Sequence, residues 1–323
     1  MQSLGGTQLR ADLRGVAEEA YLQSELYIGP KVLPPLPVTA KAGQYPYISV
    51  TSGSLLRNEV KRRGPSANYA RIARSFFSDN YTCQEYGIET PVDDSNAADV
   101  ARFFPLEATE TRRALGQVQL AHEIRVAAKV FDPAVFSLTT SATAYTTTNL
   151  STFDLGLDID TAKQAIQGRG ESTEGLTAVM SLAMFNRVRA STRIQNRIRG
   201  TISTDSQLVL TREALAQCLD LKEVLVGAAA YDTSKQGAAS PVMSSIWGDT
   251  YVWLGRCVPG GTQEQYFNGS TGFTLFWNED ASIFQVESYR EEDIRSVIIR
   301  ARQNVAEKVV MASGAQLLVT QFT

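Results

Sequence analysis

The strongest periodic pattern of apolar positions in the chain lies between residues 105 and 131. Pro105 suits the first turn of a helix, and Asp132-Pro133 ends one. A helix of that length spans about 40 Å. The pattern predicts a long helix over residues 105–131 that packs against a sheet along one apolar stripe, formed by Leu120, Ala121, Ile124, Ala127, Ala128 and Phe131.

Upstream of this helix the pattern changes from helical to extended. Residues 8–27 carry apolar side chains at helical spacing and predict a short amphipathic helix. Residues 44–50 and 71–90 are rich in aromatic and other strand-forming residues, which predicts two strands. The stretch between these strands has little apolar periodicity. We therefore predict a long two-stranded hairpin, and because an isolated hairpin is marginally stable in water, it is expected to rest on another surface.

Downstream of the long helix, short helices and strands alternate, which favours a compact α/β unit. The chain then returns to a strand pattern in residues 281–323. The predicted elements in chain order are a Ser- and Thr-rich loop at 137–152, a helix at 158–167, a strand at 176–182, helices at 183–199 and 211–219, a strand at 223–227, and strand segments at 283–286, 297–299 and 317–319.

An apolar segment stiffened by proline precedes the hairpin. Proline fixes the backbone, so the segment is expected to form neither a helix nor a central strand. The residues between the prolines are nevertheless too apolar for a solvated linker. We therefore expect this N-terminal arm to lie on another surface, often that of a neighbouring subunit, with Pro30, Pro34, Pro35 and Pro37 as its prolines and Ile28, Val32, Leu33, Leu36 and Val38 as its apolar residues.

Composition places the chain among ordinary folded proteins. Its 323 residues are 43% hydrophobic and 20% charged, enough for one large or two medium domains. No apolar run approaches the length of a membrane span, and the first residues lack the pattern of a secretory signal. The three cysteines are far apart and odd in number, which fits a reducing cytoplasm. The net charge of −3 argues against tight binding of nucleic acid.

Charge is nevertheless distributed unevenly along the chain. Residues 53–75 carry a net +5, whereas residues 85–99 and 279–293 each carry a net −5. A solvated face explains any single block, but opposite blocks of equal size favour surfaces that meet, within or between subunits. The candidate contact residues are Arg57, Lys61, Arg62, Arg63, Arg71 and Arg74 in the basic block, and Glu89, Asp93, Asp94, Glu291 and Glu292 in the acidic blocks.

The sequence shows no catalytic constellation. Its one histidine, His122, falls within the predicted long helix, which is typical of a structural residue, and zinc sites built on several histidines are excluded. The chain has no nucleophile elbow, phosphate-binding loop or dinucleotide fingerprint. Asp154, Asp158 and Asp160 have the residue type of a Ca²⁺ or Mg²⁺ site, but helix capping by Asp158 and Asp160 explains them more simply. We expect no catalytic residue, no cofactor and no metal.

The order of the predicted elements resembles that of one family, the major capsid proteins of tailed bacteriophages, which have the Hong Kong 97-like fold. No single segment is decisive, but five in the same order are typical of that family. The segments lie within about residues 25–320 and read IGPKVLP with KAGQYP at 28–46, YTCQEYGIETPVDD at 81–94, VLVGAAAY at 224–231, IWGD at 246–249 and GFTLFW at 272–277.

The resemblance implies an α+β chain in five parts. The axial domains would meet at the centres of hexamers and pentamers, and the basic hairpin would lie across the adjacent subunit. The parts are an N-terminal arm at residues 1–41, an extended loop formed by the long β-hairpin at 42–90, a first part of the peripheral domain with a long spine helix at 91–170, an axial α/β domain at 171–277, and a C-terminal part of the peripheral domain at 278–323.

The resemblance also implies partners and a location. Copies would form an icosahedral head around packaged double-stranded DNA, without sequence-specific binding and without a membrane. A separate scaffolding protein, a portal protein and a decoration protein would be partners, in the host bacterial cytoplasm during assembly and then in the virion. Lys61 lies near the hairpin tip, but no acceptor for a lysine cross-link is identified, so none is predicted. The alternatives are an encapsulin-type compartment shell and, less favoured by the lack of motifs, a hydrolase.

Overall fold

The computed structural model describes residues 8–9, 26–47, 58, 60, 62–65, 68–69, 71, 77–95, 105–201, 210–235, 237–259, 269–278 and 282–322. Its helices are α1 (Gly29–Val32), α2 (Leu106–Val130), α3 (Leu155–Gly168), α4 (Leu182–Ala190), α5 (Thr192–Thr201) and α6 (Arg212–Cys218). Its strands are β1 (Gln8–Leu9), β2 (Pro35–Val38), β3 (Ala42–Tyr47), β4 (Phe77–Thr82), β5 (Gln84–Asp93), β6 (Leu138–Thr140), β7 (Leu176–Ser181), β8 (Glu223–Gly227), β9 (Ala230–Asp232), β10 (Met243–Ser245), β11 (Tyr251–Arg256), β12 (Gly272–Trp277), β13 (Gln285–Glu291), β14 (Ser296–Val309) and β15 (Gln316–Val319).

Two larger sheets organise these elements. A six-stranded sheet has the order β1-β13-β14-β12-β2, and its sixth strand, β5, also pairs with β14. All its pairings are antiparallel except that of β2 with β12. A five-stranded sheet has the order β6-β15-β11-β7-β8. The pairs β3-β4 and β9-β10 form separate two-stranded sheets, so the architecture is α+β, as predicted.

The five-stranded sheet and helices α3 to α6 enclose the largest apolar core, which includes Phe153, Ile159, Met184, Leu215 and Leu254. The strands predicted at 176–182 and 223–227 and the helix predicted at 211–219 are confirmed within two residues at each end. The helix predicted at 183–199 is two helices instead. It breaks at Ser191, which is buried in an extended conformation between α4 and α5.

The long helix α2 packs on one face of the six-stranded sheet, where Ala114, Leu115 and Val118 contact the core formed with Ile299 and Val305. Its predicted bounds are confirmed, but the predicted stripe has the wrong phase. Leu120, Ala121, Ile124 and Phe131 are half-buried and Ala128 is exposed. The buried face includes polar residues that a hydrophobic pattern assigns to solvent, and it comprises Thr111, Ala114, Leu115, Val118, Gln119, His122, Glu123, Val126, Ala127 and Val130.

Part of that polar face joins α2 to β14. His122 and Arg125 both contact the Glu307 carboxylate, with His122 Nδ1 at 3.2 Å and Arg125 Nε at 3.0 Å from Oε1. Burial opposes ionisation of Glu307, but the hydrogen bond to His122 and the charge of Arg125 outweigh it and lower the pKa of Glu307 to about 2. The Arg125 guanidinium also lies 3.8 Å from the Tyr86 ring centroid on β5. His122 is therefore buried in an ion-pair cluster between helix and sheet.

The proline-rich arm does not lie on another surface between Leu26 and Val38, and this prediction is wrong. Ile28, Val32, Leu33, Leu36 and Val38 are each at most 3% exposed, buried in the chain's own cores. Residues 29–32 form the short helix α1, and residues 35–38 form β2 at the edge of the six-stranded sheet. The segment is therefore part of the subunit body.

Proline is compatible with both elements because of where each ring falls. Pro30 occupies the first turn of α1, where its missing N–H would have no helical partner. In β2, the carbonyls of Pro34 and Val38 accept hydrogen bonds from Thr274 and Asn278, so those residues face β12. The alternate positions, Pro35 and Pro37, then face away from the sheet, where no N–H is required.

One buried carboxylate holds the N-terminal arm against α2 through hydrogen bonds. Glu123 on α2 is fully buried and accepts hydrogen bonds from the backbone N–H of Ile28 at 3.0 Å and of Gly29 at 2.7 Å. It also accepts one at 2.7 Å from the indole N–H of Trp247, which follows β10. Burial raises the pKa of Glu123, and the three hydrogen bonds oppose that rise. The junction connects the arm, α2 and the region around β10.

The structure also changes the boundaries predicted for the N-terminal helix, the extended loop and the domains. The helix predicted at 8–27 begins in a strand, β1, and its residues 10–25 lie outside the described residues. The extended loop predicted to end at residue 90 ends at Thr82, because β5 belongs to the six-stranded sheet. The domain boundaries at 171 and 278 do not follow the two sheets. The five-stranded sheet also takes β6 and β15, and the six-stranded sheet also takes β12.

Replacing Glu123 by Gln is expected to destabilise the subunit by about 1–3 kcal/mol. The amide keeps the shape of the carboxylate but turns one acceptor into a donor, which then faces either the Gly29 N–H or the N–H groups of Ile28 and Trp247. Chemical denaturation of the free subunit measures the loss. The exposed Glu174→Gln is the matched control, and equal stability of the two variants would refute the junction.

Acid is expected to weaken the subunit through Glu307. Because its pKa is lower in the folded state than its ordinary value of 4.5, its contribution is complete above pH 4.5 and is lost as the pH falls towards about 2. The shift corresponds to about 3 kcal/mol. Urea titrations between pH 7 and pH 2.5 should show a steeper loss of stability in the wild type than in Glu307→Gln. Parallel curves would count against this ion-pair cluster.

Candidate subunit-contact surfaces

The extended loop leaves the body from a rigid base. β3 and β4 pair in register from Ala42 opposite Thr82 to Tyr47 opposite Phe77. At the base, the Cys83 N–H donates to the Lys41 carbonyl at 2.8 Å, and the Tyr81 hydroxyl donates to the Ala40 carbonyl at 3.2 Å. Tyr45, Tyr81 and Cys83 are buried in a core formed with β2, β12 and β14. This packing sets the direction in which the loop projects.

A polar contact reinforces the base. The Tyr45 hydroxyl donates to Asp79 Oδ2 at 2.8 Å, and Lys308 Nζ on β14 lies 3.6 Å from the same oxygen. The hydrogen bond from Tyr45 is the largest of the effects that lower the pKa of Asp79. The contact places β4 beside the C-terminal part of β14.

The described part of the loop tip is basic and exposed. Arg62, Arg63 and Arg71 are exposed, and the Arg63 guanidinium lies 4.8 Å from the Tyr69 ring centroid. Tyr69 is itself 73% exposed and Val60 is 87% exposed. The other candidates in the basic block, Arg57, Lys61 and Arg74, lie outside the described residues. The tip therefore offers both positive charge and uncovered apolar surface.

The two acidic blocks, far apart in sequence, meet at one end of the six-stranded sheet. Asp93 at the end of β5 lies opposite Ser296, the first residue of β14, and Glu291 at the end of β13 lies opposite the same residue. The Asp94 N–H donates to the Arg295 carbonyl at 3.3 Å. Glu291, Glu292 and Asp293 are exposed in the turn between β13 and β14. We name this surface, formed by Asp93, Asp94, Glu291, Glu292 and Asp293, the acidic corner.

Arginines within the same chain engage several of the predicted acidic residues. Arg290 contacts both carboxylate oxygens of Asp94, at 2.9 and 2.7 Å, and Glu292 at 2.9 Å. Arg300 contacts Glu89 at 2.6 Å across the β5–β14 pair. Arg290 lies within the acidic block at 279–293, whereas Arg300 lies on β14 outside both acidic blocks, so the charge count of the blocks does not include it. The exposed charge of the acidic corner is therefore carried mainly by Glu291 and Asp293.

The base of the extended loop and the acidic corner lie at opposite ends of the β5–β14 pairing. β5 pairs with β14 from Val305 back to Ser296, where the corner lies, while Asp79 of β4 contacts Lys308 beyond the other end of that pairing. Ten residues of β5 followed by six of β4 separate the corner from the outer end of the β3-β4 pair. At about 3.3 Å per residue, this separation is about 50 Å.

The candidate metal ligands have structural partners. Asp154, rather than Asp158 or Asp160, caps α3 by accepting from the N–H groups of Gly156 and Leu157. Asp158 is buried and accepts from the hydroxyls of Ser141 at 2.6 Å and Tyr145 at 2.7 Å. Asp160 lies 3.5 Å from an Arg197 nitrogen. In the described part of the chain, no group of three acidic, histidine or cysteine side chains is arranged to hold a metal ion.

Across the ranges that the structure describes, no helix combines the length and apolar character needed to cross a membrane.

Comparisons with known proteins find similar solved structures but no matching family model and no matching curated sequence. No protein-family model matches the chain, and no curated protein matches it. A crystal structure of a phage-related protein from Bordetella bronchiseptica RB50 matches with a TM-score of 0.72 at 20% identity, over 98% of this chain and 98% of that chain.

Two further solved structures are similar over nearly the whole chain. The capsid of cyanophage P-SCSP1u matches with a TM-score of 0.57 at 8% identity, over 92% of this chain and 88% of that chain. A virus-like particle from Pyrococcus furiosus matches with a TM-score of 0.54 at 8% identity, over 95% and 97%. These likenesses in structure show that this chain has the Hong Kong 97-like fold.

Proposed function

We propose that this chain is the major capsid protein of a tailed double-stranded DNA bacteriophage, and that copies assemble as hexamers and pentamers into an icosahedral head. The observation that carries the proposal is the likeness to a phage-related protein over 98% of both chains, with a TM-score of 0.72. The exposed, basic loop tip supports it, because such a tip needs a partner surface to cover Val60 and Tyr69. The role is structural rather than enzymatic.

The loop tip of one subunit docks on the acidic corner of a neighbour in this assembly. The two surfaces have opposite charge, and the base of the loop lies at the other end of the β5–β14 pairing from the corner of its own chain. A contact between different surfaces of successive copies is heterologous, and such contacts close into rings when the rotation between copies permits. Electrostatic attraction of this kind sets register and partner choice more than it adds stability. The geometry thus supports rings of subunits, as hexamers and pentamers require.

The two sheets correspond in this proposal to the two domains of a shell subunit. The five-stranded sheet with α3 to α6 forms the axial domain, which meets its copies at the centre of each ring. The six-stranded sheet with α2 forms the peripheral domain, and the extended loop projects from it. The core around Trp247 and Trp253 joins the two sheets, which supports their movement as one body.

The partners follow from the same role. A separate scaffolding protein guides assembly in the host cytoplasm, a portal protein occupies one vertex, and a decoration protein binds the outer surface. The finished shell encloses double-stranded DNA without reading its sequence. The net charge of −3 supports a shell that does not bind the enclosed DNA tightly.

An encapsulin-type compartment shell is the second candidate, because the virus-like particle from Pyrococcus furiosus has a similar fold. The two candidates differ in what the particle encloses. Nuclease-resistant double-stranded DNA in particles from infected or induced cells supports the phage head. An enclosed enzyme in place of DNA would contradict it.

Reversing charge at the loop tip is expected to block assembly without unfolding the subunit. In Arg62→Glu with Arg63→Glu, like charges face the acidic corner, and the yield of regular particles should fall at least tenfold, equivalent to about 1.4 kcal/mol or more. Negative-stain microscopy and sedimentation measure the yield, and thermal melting checks the fold. Arg112→Glu with Arg113→Glu, an adjacent exposed pair on α2, is the control for the same change in net charge.

Restoring opposite charge tests the docking partner. Adding Glu291→Arg with Asp293→Arg to the loop variant is expected to recover particles. Wild-type yield from the loop variant alone would contradict docking at the tip. A wild-type protein that stays monomeric under every assembly condition would contradict the shell function itself.

A further inference from the structure

The interface between α2 and β14 buries several polar side chains next to its apolar core. Gln119, His122 and Gln303 are each at most 6% exposed, and the Arg125 side chain is 21% exposed. Within the described part of the chain, the buried polar atoms of this interface that have no hydrogen-bond partner are Gln119 Nε2, His122 Nε2, Arg125 Nη2, Gln303 Nε2 and Gln303 Oε1. A buried polar group without a partner loses its hydration and gains nothing in return. Native interiors seldom tolerate that loss, so these atoms call for a ligand.

The register of the sheet places Gln303 close to Arg125. Alternate residues of a strand lie on one face, so Gln303 faces α2 as Glu307 does. Glu307 contacts both His122 and Arg125 of that helix. The residue opposite Gln303 on β5 is Tyr86, and the Arg125 guanidinium lies 3.8 Å from the centroid of its ring. Arg125 therefore extends from the Glu307 carboxylate towards Gln303.

Gln119 belongs to the same interface through its position on the helix. It precedes His122 by three residues, and residues three or four apart are neighbours on one side of a helix. Leu115, one turn earlier, shares a core with β14, and His122, one turn later, contacts Glu307 of that strand. The buried side chain of Gln119 therefore lies against β14 between these two contacts.

The hydrogen-bonding character of these atoms identifies the ligand. The pKa of Glu307 is about 2, so its carboxylate is ionised and only accepts, and the ring nitrogen that contacts it, His122 Nδ1, carries the proton. In the neutral ring, His122 Nε2 is then an acceptor, as is Gln303 Oε1. The amide nitrogens of Gln119 and Gln303 and the Arg125 guanidinium are donors. An anion only accepts, and a metal ion binds only lone pairs, so each would leave part of the set without a partner. Water both donates and accepts.

We propose that the interface between α2 and β14 binds water, held by Gln119, His122, Arg125 and Gln303. A buried water molecule makes about three hydrogen bonds, so about two molecules would satisfy these atoms. The site lies inside each subunit and goes beyond the proposed function, because it is present whether or not copies assemble. The long helix is thus joined to the sheet by the direct contacts of Glu307 and, beside them, through water.

A high-resolution crystal structure of the full-length subunit tests the site directly. Density for water should lie within hydrogen-bond distance of His122 Nε2 and of the Gln303 side-chain amide. Density for a bound anion at these atoms would overturn the choice of ligand. Direct hydrogen bonds among the four side chains, with no water between them, would overturn the site itself.

A substitution at Gln303 gives a second, thermodynamic measurement. Gln303→Met keeps the length of the side chain and removes both hydrogen-bonding atoms. Because bound water would then lose a partner, urea titration should show the equilibrium constant for unfolding rise about fivefold or more. Gln117→Met, at an exposed position of the same helix, is the control and should leave that constant unchanged. A constant for Gln303→Met equal to or below that of the wild type would overturn the proposal, since removing an amide that binds no water relieves a cost.

Discussion

The structure depends on how the carboxylate of Glu123 is accommodated at the centre of the subunit. An ionised group in an apolar interior is costly unless every acceptor site is satisfied. Here three donors from two distant segments converge on it: the amides of Ile28 and Gly29 and the indole of Trp247. Removing any one of these three donors leaves the buried Glu123 carboxylate with fewer hydrogen bonds. The carboxylate therefore makes the positions of the arm, of α2 and of the region after β10 depend on one another.

That dependence explains why the arm belongs to the body. Once α1 is held against α2, Leu33 and Leu36 enter the cores beside β12 and β14, and β2 extends the sheet. The prolines limit how far the sheet grows, because Pro35 and Pro37 face the outer edge without an N–H. The β2 edge of the sheet is blunted in this way, whereas no strand within the described ranges pairs with the far side of β5.

The strand β14 has different neighbours along its length, so the two ends of the subunit differ. β14 runs from the acidic corner to the base of the loop, with β5 beside one part of it and β4 beside the next. In the proposed assembly, the acidic corner and the basic loop have opposite charge, which favours head-to-tail contacts between copies over contacts about a two-fold axis. Intramolecular pairs such as those of Arg290 and Arg300 neutralise part of the acid within the chain. These pairs connect β5, β13 and β14 through their side chains.

The sequence by itself determined the elements whose signals are local. The ends of α2, the buried strands β7 and β8, and the basic hairpin follow from proline positions, strand-forming residues and charge counts, which need no knowledge of distant contacts. Tertiary structure decided which face of α2 is buried, since His122 and Glu123 enter the core only because Glu307 and the arm supply partners. It also decided that the arm lies within the subunit and that two acidic blocks form one surface. These facts depend on which segments meet, and the free energy of burying a polar group depends on a partner that lies far away in the sequence.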